Sequence, residues 1–393
     1  MRQEEIEVEK GKKSIKINIR QYTMIFAMLA IWAYFQIATG GIFMMPRNLN
    51  NLFLQMCYIG VCSCGMVLIM VSGQIDLSAG SVIGFTGAIM AVLLKNFNMN
   101  PFLALVLTLA AGALVGLWQG IWVAKVGLPA FIVTLSSMML FRGGVLGVTG
   151  GSTVQPNDPV FKAIGQGYIP NIGSGEINIT AIIIGIICFA IYVVLMLQKR
   201  KNRMKYQFKV DKAGVFVAKI IGFGIVMGLV FAIWASDRGI PIPIIILALV
   251  VLTMHVISQN TAFGRHIFAI GGNLDAAKLS GINVKKTITL NFVLMGVLTA
   301  ISGIIYTSRL NSAAIAGGTG AETDIIAAAI IGGTSPAGGK GSIFGCIIGA
   351  LVMASLDNGM SILSMGSFEK YIVKGLVLLM AVAVDTITSQ KAS

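Results

Sequence analysis

Charge is scarce in this sequence. Only 11% of the 393 residues are Asp, Glu, Lys or Arg, against roughly 25% in a soluble chain whose surface must face water. A bilayer core about 30 Å thick needs about 20 apolar residues per spanning helix, and uncharged stretches of that order recur along the chain. A soluble enzyme is excluded. Histidine is scarcer still: His255 and His266 are the only two, too few for hydrolytic or metal chemistry. The five cysteines, Cys57, Cys62, Cys64, Cys188 and Cys346, sit in or beside apolar runs. They have no zinc-ligand spacing and read as small hydrophobes. A nucleotide P-loop is also missing. The pattern G-x-x-x-x-G-K-[ST] is approached only at Gly339-Lys340, where Thr334 and Gly341 break it at both ends. The chain is therefore expected to have no ATPase site, metal or cofactor of its own, so energy must come from a partner or an ion gradient.

What is abundant is positive charge in the wrong places for nucleic acid. The formal net charge is +14, one footprint of phosphate binding, but the cations cluster in short segments between apolar runs. That is the positive-inside pattern of membrane proteins. Apolar spans are expected at 22–39, 52–71, 80–94, 101–123, 129–149, 178–197, 214–235, 242–258, 287–307, 343–357 and 371–388, with a shorter piece at 324–333. The fold class is thus an all-α polytopic membrane protein of about 11–12 transmembrane helices, short or broken segments included. The first run is full length and lacks a small-residue cleavage site, so it reads as a retained helix. The basic segments 1–21, 198–213 and 259–286 are expected in the cytoplasm, as is Lys125. The loops near 40–50, 96–100, 150–177 and 236–241 are poor in Lys and Arg and are expected outside. The piece at 324–333 is too short to cross alone. It reads as the first half of a broken helix continuing through GGTSPAGGKG. This places Lys340 and the tail 389–393 in the cytoplasm with the N-terminus.

Many of the 47 glycines, such as Gly112, Gly116 and Gly120, suit close helix packing. An internal echo pairs Gly80-Ser81-x-x-Gly84 with Gly341-Ser342-x-x-Gly345, each opening an apolar helix. Transporters often have broken helices at corresponding positions of two halves.

Three constellations could carry function. In GQIDLSAGS, Asp76 and Ser78 stand between two spans almost without a loop. A carboxylate at membrane depth is a functional candidate, while Asp and Ser before a helix also cap it; both roles stay open. In 263–286, Asp275-Ala276-Ala277 is followed three residues later by Gly281, with Arg265, Lys278, Lys285 and Lys286 around it. This suits a short helix that docks in a partner's groove and then stops at a glycine, while the spacing alone equally suits an ordinary solvated loop helix. In 311–345, Glu322, Thr323 and Asp324 precede an apolar half-helix, as caps at its favourable dipole end. Gln119, Asn291, Asn311 and Asn358 could line a path for a neutral polyol, with Trp118 and Trp122 as stacking faces or interface anchors.

The motif D-A-A-x-x-x-G at 275–281 resembles the Glu-Ala-Ala…Gly coupling motif of ATP-binding-cassette (ABC) importer permeases, with Asp in place of Glu. AIGGNLDAAKLSGINVKK, GQIDLSAGS and TGAETDIIAAAIIGGTSPAGGKGSIFG together resemble the ribose/xylose-type permeases, nearest the xylose and multiple-monosaccharide group. Those carry an extra helix pair with a basic loop, as at 178–235 here. The resemblance implies a bacterial inner-membrane sugar permease working as two copies, a cytoplasmic ATPase that binds ATP, and an extracytoplasmic sugar-binding protein. It also implies coupling roles for Arg265, Asp275, Ala276, Ala277 and Gly281. Read from the residues themselves, the candidate substrate path includes Asp76, Ser78, Gln119, Asn291, Asn311 and Glu322. Alternatives are a secondary transporter without an ATPase, or an ABC permease for a nucleoside, an amino acid or a furanose signal. An ion-driven carrier would place acids well inside its spans, where only Asp76, Asp357 and Asp385 are candidates.

Overall fold

The computed structural model describes residues 19–208 and 210–390. They form α1 (Ile19–Ala38), α2 (Pro46–Val71), α3 (Ala79–Lys95), α4 (Pro101–Gly120, with a π-helical extension Ile121–Val126), α5 (Ala130–Thr149), α6 (Pro159–Gln166), α7 (Ile179–Lys205) and α8 (Ala213–Ala235). Then follow α9 (Ile242–Asn260), α10 (Ala262–Gly272), α11 (Leu274–Leu279), α12 (Val284–Leu310), α13 (Ala321–Ile331), α14 (Ile343–Ile362) and α15 (Ser367–Gln390). Among the described residues, eight helices are long and apolar enough to cross a membrane: α2, α4 with its extension, α5, α7, α8, α9, α12 and α14. The helical architecture agrees with the all-α polytopic class read from the sequence. Most of the basic segment 1–21 lies outside the described residues, as do 391–393 of the tail and the side chain of Asp385.

A helix that is apolar all round belongs in an interior. α2 is that helix: 94% of its most apolar stretch is buried, with α9, α12, α13 and α14 around it. In α8, by contrast, none of the corresponding stretch is buried, so the α7–α8 hairpin presents its side chains to lipid. Small residues set the closest seam, between α4 and α12. A Cβ on Gly116 would lie 2.1 Å from the Phe292 carbonyl oxygen, and one on Gly296 would lie 2.1 Å from that of Gly112. Both obstacles are backbone and cannot yield, so the glycines read from the sequence as packing residues do pack. Gly296→Val is expected to destabilise the protein by about 1–3 kcal/mol through overpacking. Gly228→Ala, which meets open space, should leave it unchanged. Thermal midpoints of the detergent-solubilised proteins decide between the two.

Three sequence expectations change. α7 continues through the basic residues to Lys205, so the loop placed at 198–213 shrinks to 206–212. Its first half is an exposed helical turn carrying cations at the favourable C-terminal end of the dipole. The segment 150–177, read as loop, contains α6, whose start is fixed by Asp158 Oδ1 accepting from Phe161 N at 2.8 Å and by Pro159 at its first position. Third, α13 does not continue through GGTSPAGGKG. The chain turns there, and α14 runs back along α13, with Gly349 against the Ala328 carbonyl and Gly345 against that of Gly332. The non-helical half precedes α13, in 311–320.

Candidate functional site

Two interrupted segments meet inside the bundle. A Cβ on Gly303 would lie 2.6 Å from the Ile83 carbonyl oxygen. Since Gly303 lies well inside the 27 residues of α12, α3 starts near the mid-point of α12, not at its end. Gly80 and Gly84 of α3 rest on the 311–320 segment, with the Gly318 and Gly317 carbonyls 2.5 and 2.3 Å from where their Cβ atoms would be. α13 starts directly beside them. The helix starts of the internal echo share one device, glycines seated on glycine carbonyls, since Gly345 likewise meets Gly332. Non-helical backbone at membrane depth persists only where protein satisfies it.

The segment 72–78 is satisfied by a polar lock. Asp76 Oδ1 accepts from Ser78 N at 2.8 Å and from Ser78 Oγ at 2.6 Å. Gln119 Nε2 on α4 donates to Ser78 Oγ at 2.7 Å. Asn291 Nδ2 on α12 donates to the Leu68 carbonyl at 2.9 Å and to Ser72 Oγ at 3.2 Å, and Thr134 Oγ1 on α5 donates to the Ile75 carbonyl at 3.3 Å. Thus four residues named from the sequence, Asp76, Ser78, Gln119 and Asn291, do come together, all buried. Asp76, Ser78 and Gln119 bond to one another, and Asn291 bonds to the backbone and hydroxyl at the end of α2 and its cap. Asp76 closes a local turn and does not cap α3, whose capping position, Ser78, makes no side-chain cap bond.

Glu322 and Asp324 are not caps either. Gly320, in the left-handed region at φ +82°, occupies the capping position of α13 without a side-chain bond. The carboxylates reach cations on other helices. Arg142 Nη2 of α5 donates to Glu322 Oε1 at 3.5 Å. Lys374 Nζ of α15 bridges Asp324 Oδ2 and Asp357 Oδ1, each at 2.9 Å. Arg142 and Lys374 escaped the sequence reading, although a cation inside an apolar span was the available signal. The acids embedded in the bundle are therefore more numerous than expected, and Glu322, Asp324 and Asp357 each face a cation. Beside the two helix starts, Glu322 Oε2, Ser81 Oγ and Arg142 Nε are buried without partners.

Other sequence candidates lie elsewhere. Asn311 ends α12 in the left-handed region at φ +48°, and its Nδ2 donates to Asn157 Oδ1 at 3.4 Å. Asn358 exchanges amide bonds with Asn48 at 2.9 and 3.0 Å, tying α14 to α2. Trp118 and Trp122 form an edge-to-face pair with centroids 6.4 Å apart, half-exposed on the outer side of α4.

At one end of the bundle, α10 and α11 form a short elbow. Asn273 ends α10 and caps α11, accepting from Ala276 N at 2.9 Å. α11 stops at Gly281, φ +79°, where Gly281 N and Ile282 N donate to the Lys278 and Ala277 carbonyls; this is the glycine stop read from the sequence. The elbow's two faces differ. Ala277 is 3% exposed, turned into the chain's own core. Arg265, Asp275, Ala276 and Gly281 face outward. Asp275 pairs with Lys278 at 3.2 Å. Leu279, not singled out from the sequence, is 90% exposed. Where α10 ends, a Cβ on Gly271 would stand 1.6 Å from the Val71 carbonyl oxygen. That same oxygen accepts from Gly339 N at 2.9 Å. The elbow thus bears directly on the point where α2 gives way to 72–78 and where the 332–342 turn comes back. Gly339, next to Lys340, lies at the elbow's end of the bundle.

Residues 48–382 match the family described as branched-chain amino acid transport system / permease component. The xylose transport system permease protein of Haemophilus influenzae is 42% identical over 376 residues, 95% of this chain and 98% of that one. Its counterpart in Escherichia coli K12 is 40% identical over 385 residues, 97% and 95% of the two chains. The ribose import permease protein of the same strain is 34% identical over 340 residues, 86% and 85%. No solved structure matches the chain. A match across most of the length, with near-full-length relatives and a multi-helix bundle, shows that this chain belongs to the family of branched-chain amino acid transport system / permease components.

Proposed function

We propose that this chain is the membrane permease subunit of an ATP-driven importer that moves a monosaccharide, xylose or a similar pentose, into the cytoplasm. The sugar cargo rests on the relatives named for xylose and ribose. The coupling mechanism rests on one contact, that of Gly271 with the Val71 carbonyl. A cytoplasmic ATPase grips the outward face of the elbow, with Leu279 as the apolar knob and Arg265, Asp275, Ala276 and Gly281 around it. Ala277 holds the elbow to the bundle. Movement of α10 then displaces Val71 and, through it, both non-helical segments.

In this reading Asp76, Ser78, Gln119 and Asn291 latch the gate and do not touch sugar: the first three bond one another, and the Asn291 amide N–H groups are spent on the Leu68 carbonyl and Ser72. Glu322, with Ser81 and Arg142, offers the unpartnered polar capacity that a neutral polyol needs. Asn311 shapes the loop that leads to it. Two copies flank the pathway, and an extracytoplasmic sugar-binding protein supplies the cargo. ATP is bound by the ATPase alone, and the chain needs no cofactor.

Proteoliposomes test this directly. Radiolabelled xylose should accumulate only when the permease, ATPase, binding protein and ATP are all present. Accumulation against a gradient by the permease alone would sink the proposal in favour of a secondary carrier. Leu279→Glu should weaken ATPase binding about tenfold or more, since burying a leucine is worth about 1.5–3 kcal/mol. Titration of the ATPase onto immobilised permease measures it, and unchanged affinity would remove Leu279 from the interface.

A further inference from the structure

The α7–α8 hairpin carries a feature that transport does not use. Near the end of α7, Lys199, Arg200 and Arg203 converge with Lys219 of α8 on a cavity of about 170 Å³. Met196, Val210 and Phe216 supply its apolar wall, and Asp211 is its one acid. Lys219 Nζ donates to Asp211 Oδ2 at 2.6 Å, which holds that exposed carboxyl below its usual range, with Arg203 and Arg200 adding to the effect. Among the described residues, four cations thus share a single anion. The Arg200 guanidinium lies 4.6 Å from the centroid of the Phe216 ring, and its Nη1 is buried without a partner. A guanidinium stacked on a ring keeps its edge donors free for a phosphate.

Position along the helix narrows the ligand. The apolar run of α7 ends at Leu197, so Arg200 stands less than one turn beyond it, at headgroup depth. Val194, Leu195 and Leu197 on the apolar side of the lining residues of α7, and Val215 and Val217 flanking Phe216 on α8, are exposed, a surface for acyl chains. The positive-inside rule accounts for cations at this end. It does not account for their convergence across two helices around an orphaned donor. The hairpin is tied to the bundle at its other end, where Trp234 packs edge-to-face on Phe53 at 5.8 Å and Asn50 donates to Asp237 at 2.7 Å.

We propose that this cavity binds the phosphodiester headgroup of an anionic phospholipid, which fastens the basic end of the hairpin. Basic pockets between membrane helices suit such headgroups. The proposal stands apart from the sugar-import reading.

The test uses purified full-length protein in detergent, with phosphatidylglycerol or phosphatidylcholine added at equal mole fraction. Phosphatidylglycerol should raise the thermal midpoint by about 3 °C or more, and phosphatidylcholine should not. Arg200→Gln combined with Arg203→Gln should lose the response. Lys201→Gln, adjacent on α7 but outside the cavity lining, should keep it. Should the double variant fail to fold, Phe216→Leu removes the stacking face and carries the same expectation. Equal responses to the two lipids, or a response surviving in the double variant, overturn the site. Loss in Lys201→Gln also overturns it by pointing to bulk charge. Inorganic phosphate alone should give no shift; a full shift with phosphate would assign the cavity to a soluble anion and overturn the lipid.

Discussion

Gly271→Leu will cut ATP-driven uptake by more than about tenfold, a factor equivalent to about 1.4 kcal/mol, while the protein stays inserted. The obstacle to any side chain here is the Val71 carbonyl oxygen, 1.6 Å from where the Cβ would be. This oxygen is held in place by the bond from Gly339 N. Unlike the tip of a flexible side chain, it cannot swing aside. α10 must lift off the end of α2, and overpacking of this kind costs about 1–3 kcal/mol. Ile267 and Ile270 remain buried and keep the elbow attached, so the damage falls on transmission more than on assembly. Gly272→Ala is the internal control, because that position meets open space. The readouts are xylose uptake and the stimulation of ATP hydrolysis by the sugar-loaded binding protein. Coupled transport persisting in Gly271→Leu would show that α10 does not act through Val71.

Lys374→Met should be the most damaging single change to stability, at about 3–5 kcal/mol, the usual consequence of stranding a buried charge. Lys374 is the cation shared by Asp324 and Asp357, and the Asp324 side chain is only 3% exposed. Without the ammonium, Asp324 keeps its desolvation penalty and loses its partner. Asp357, 34% exposed, can turn to water. Adding Asp324→Asn to Lys374→Met should therefore recover a large part of the loss, whereas adding Asp357→Asn should recover little. Thermal midpoints of the single and double variants form the cycle. Purely additive losses for Lys374 and Asp324 would mean that the pair is not what holds α15 to α13.

How much was legible in the sequence followed how local each signal was. The stop at Gly281 and the short helix before it were readable from 275–281, because a left-handed residue after a helical turn is a property of neighbours in the chain. The small-residue seam at Gly112, Gly116 and Gly120 was readable from its four-residue spacing. The ion pairs were not. Arg142 and Glu322 are 180 positions apart, and Lys374 is 50 from Asp324. No local pattern couples such residues, so the carboxylates at the start of α13 looked like caps. Ala277 and Leu279 sit two positions apart on one short helix; one faces inward and the other outward. Which was which depended on how α11 lies against the bundle.

By itself the sequence determined the solvent, the all-α class, the approximate extent of most of the long helices, and the family. Each of these follows from hydropathy, charge or motif along a single stretch. Only the tertiary structure decided that α3 and α13 begin inside the bundle and face each other. It alone placed the polar residues of 72–78 in a latch and joined the elbow to α2. Those outcomes depend on carbonyls, glycines and charges from distant segments competing for the same few ångströms, and apolar surroundings leave a buried polar group no partner except another part of the chain.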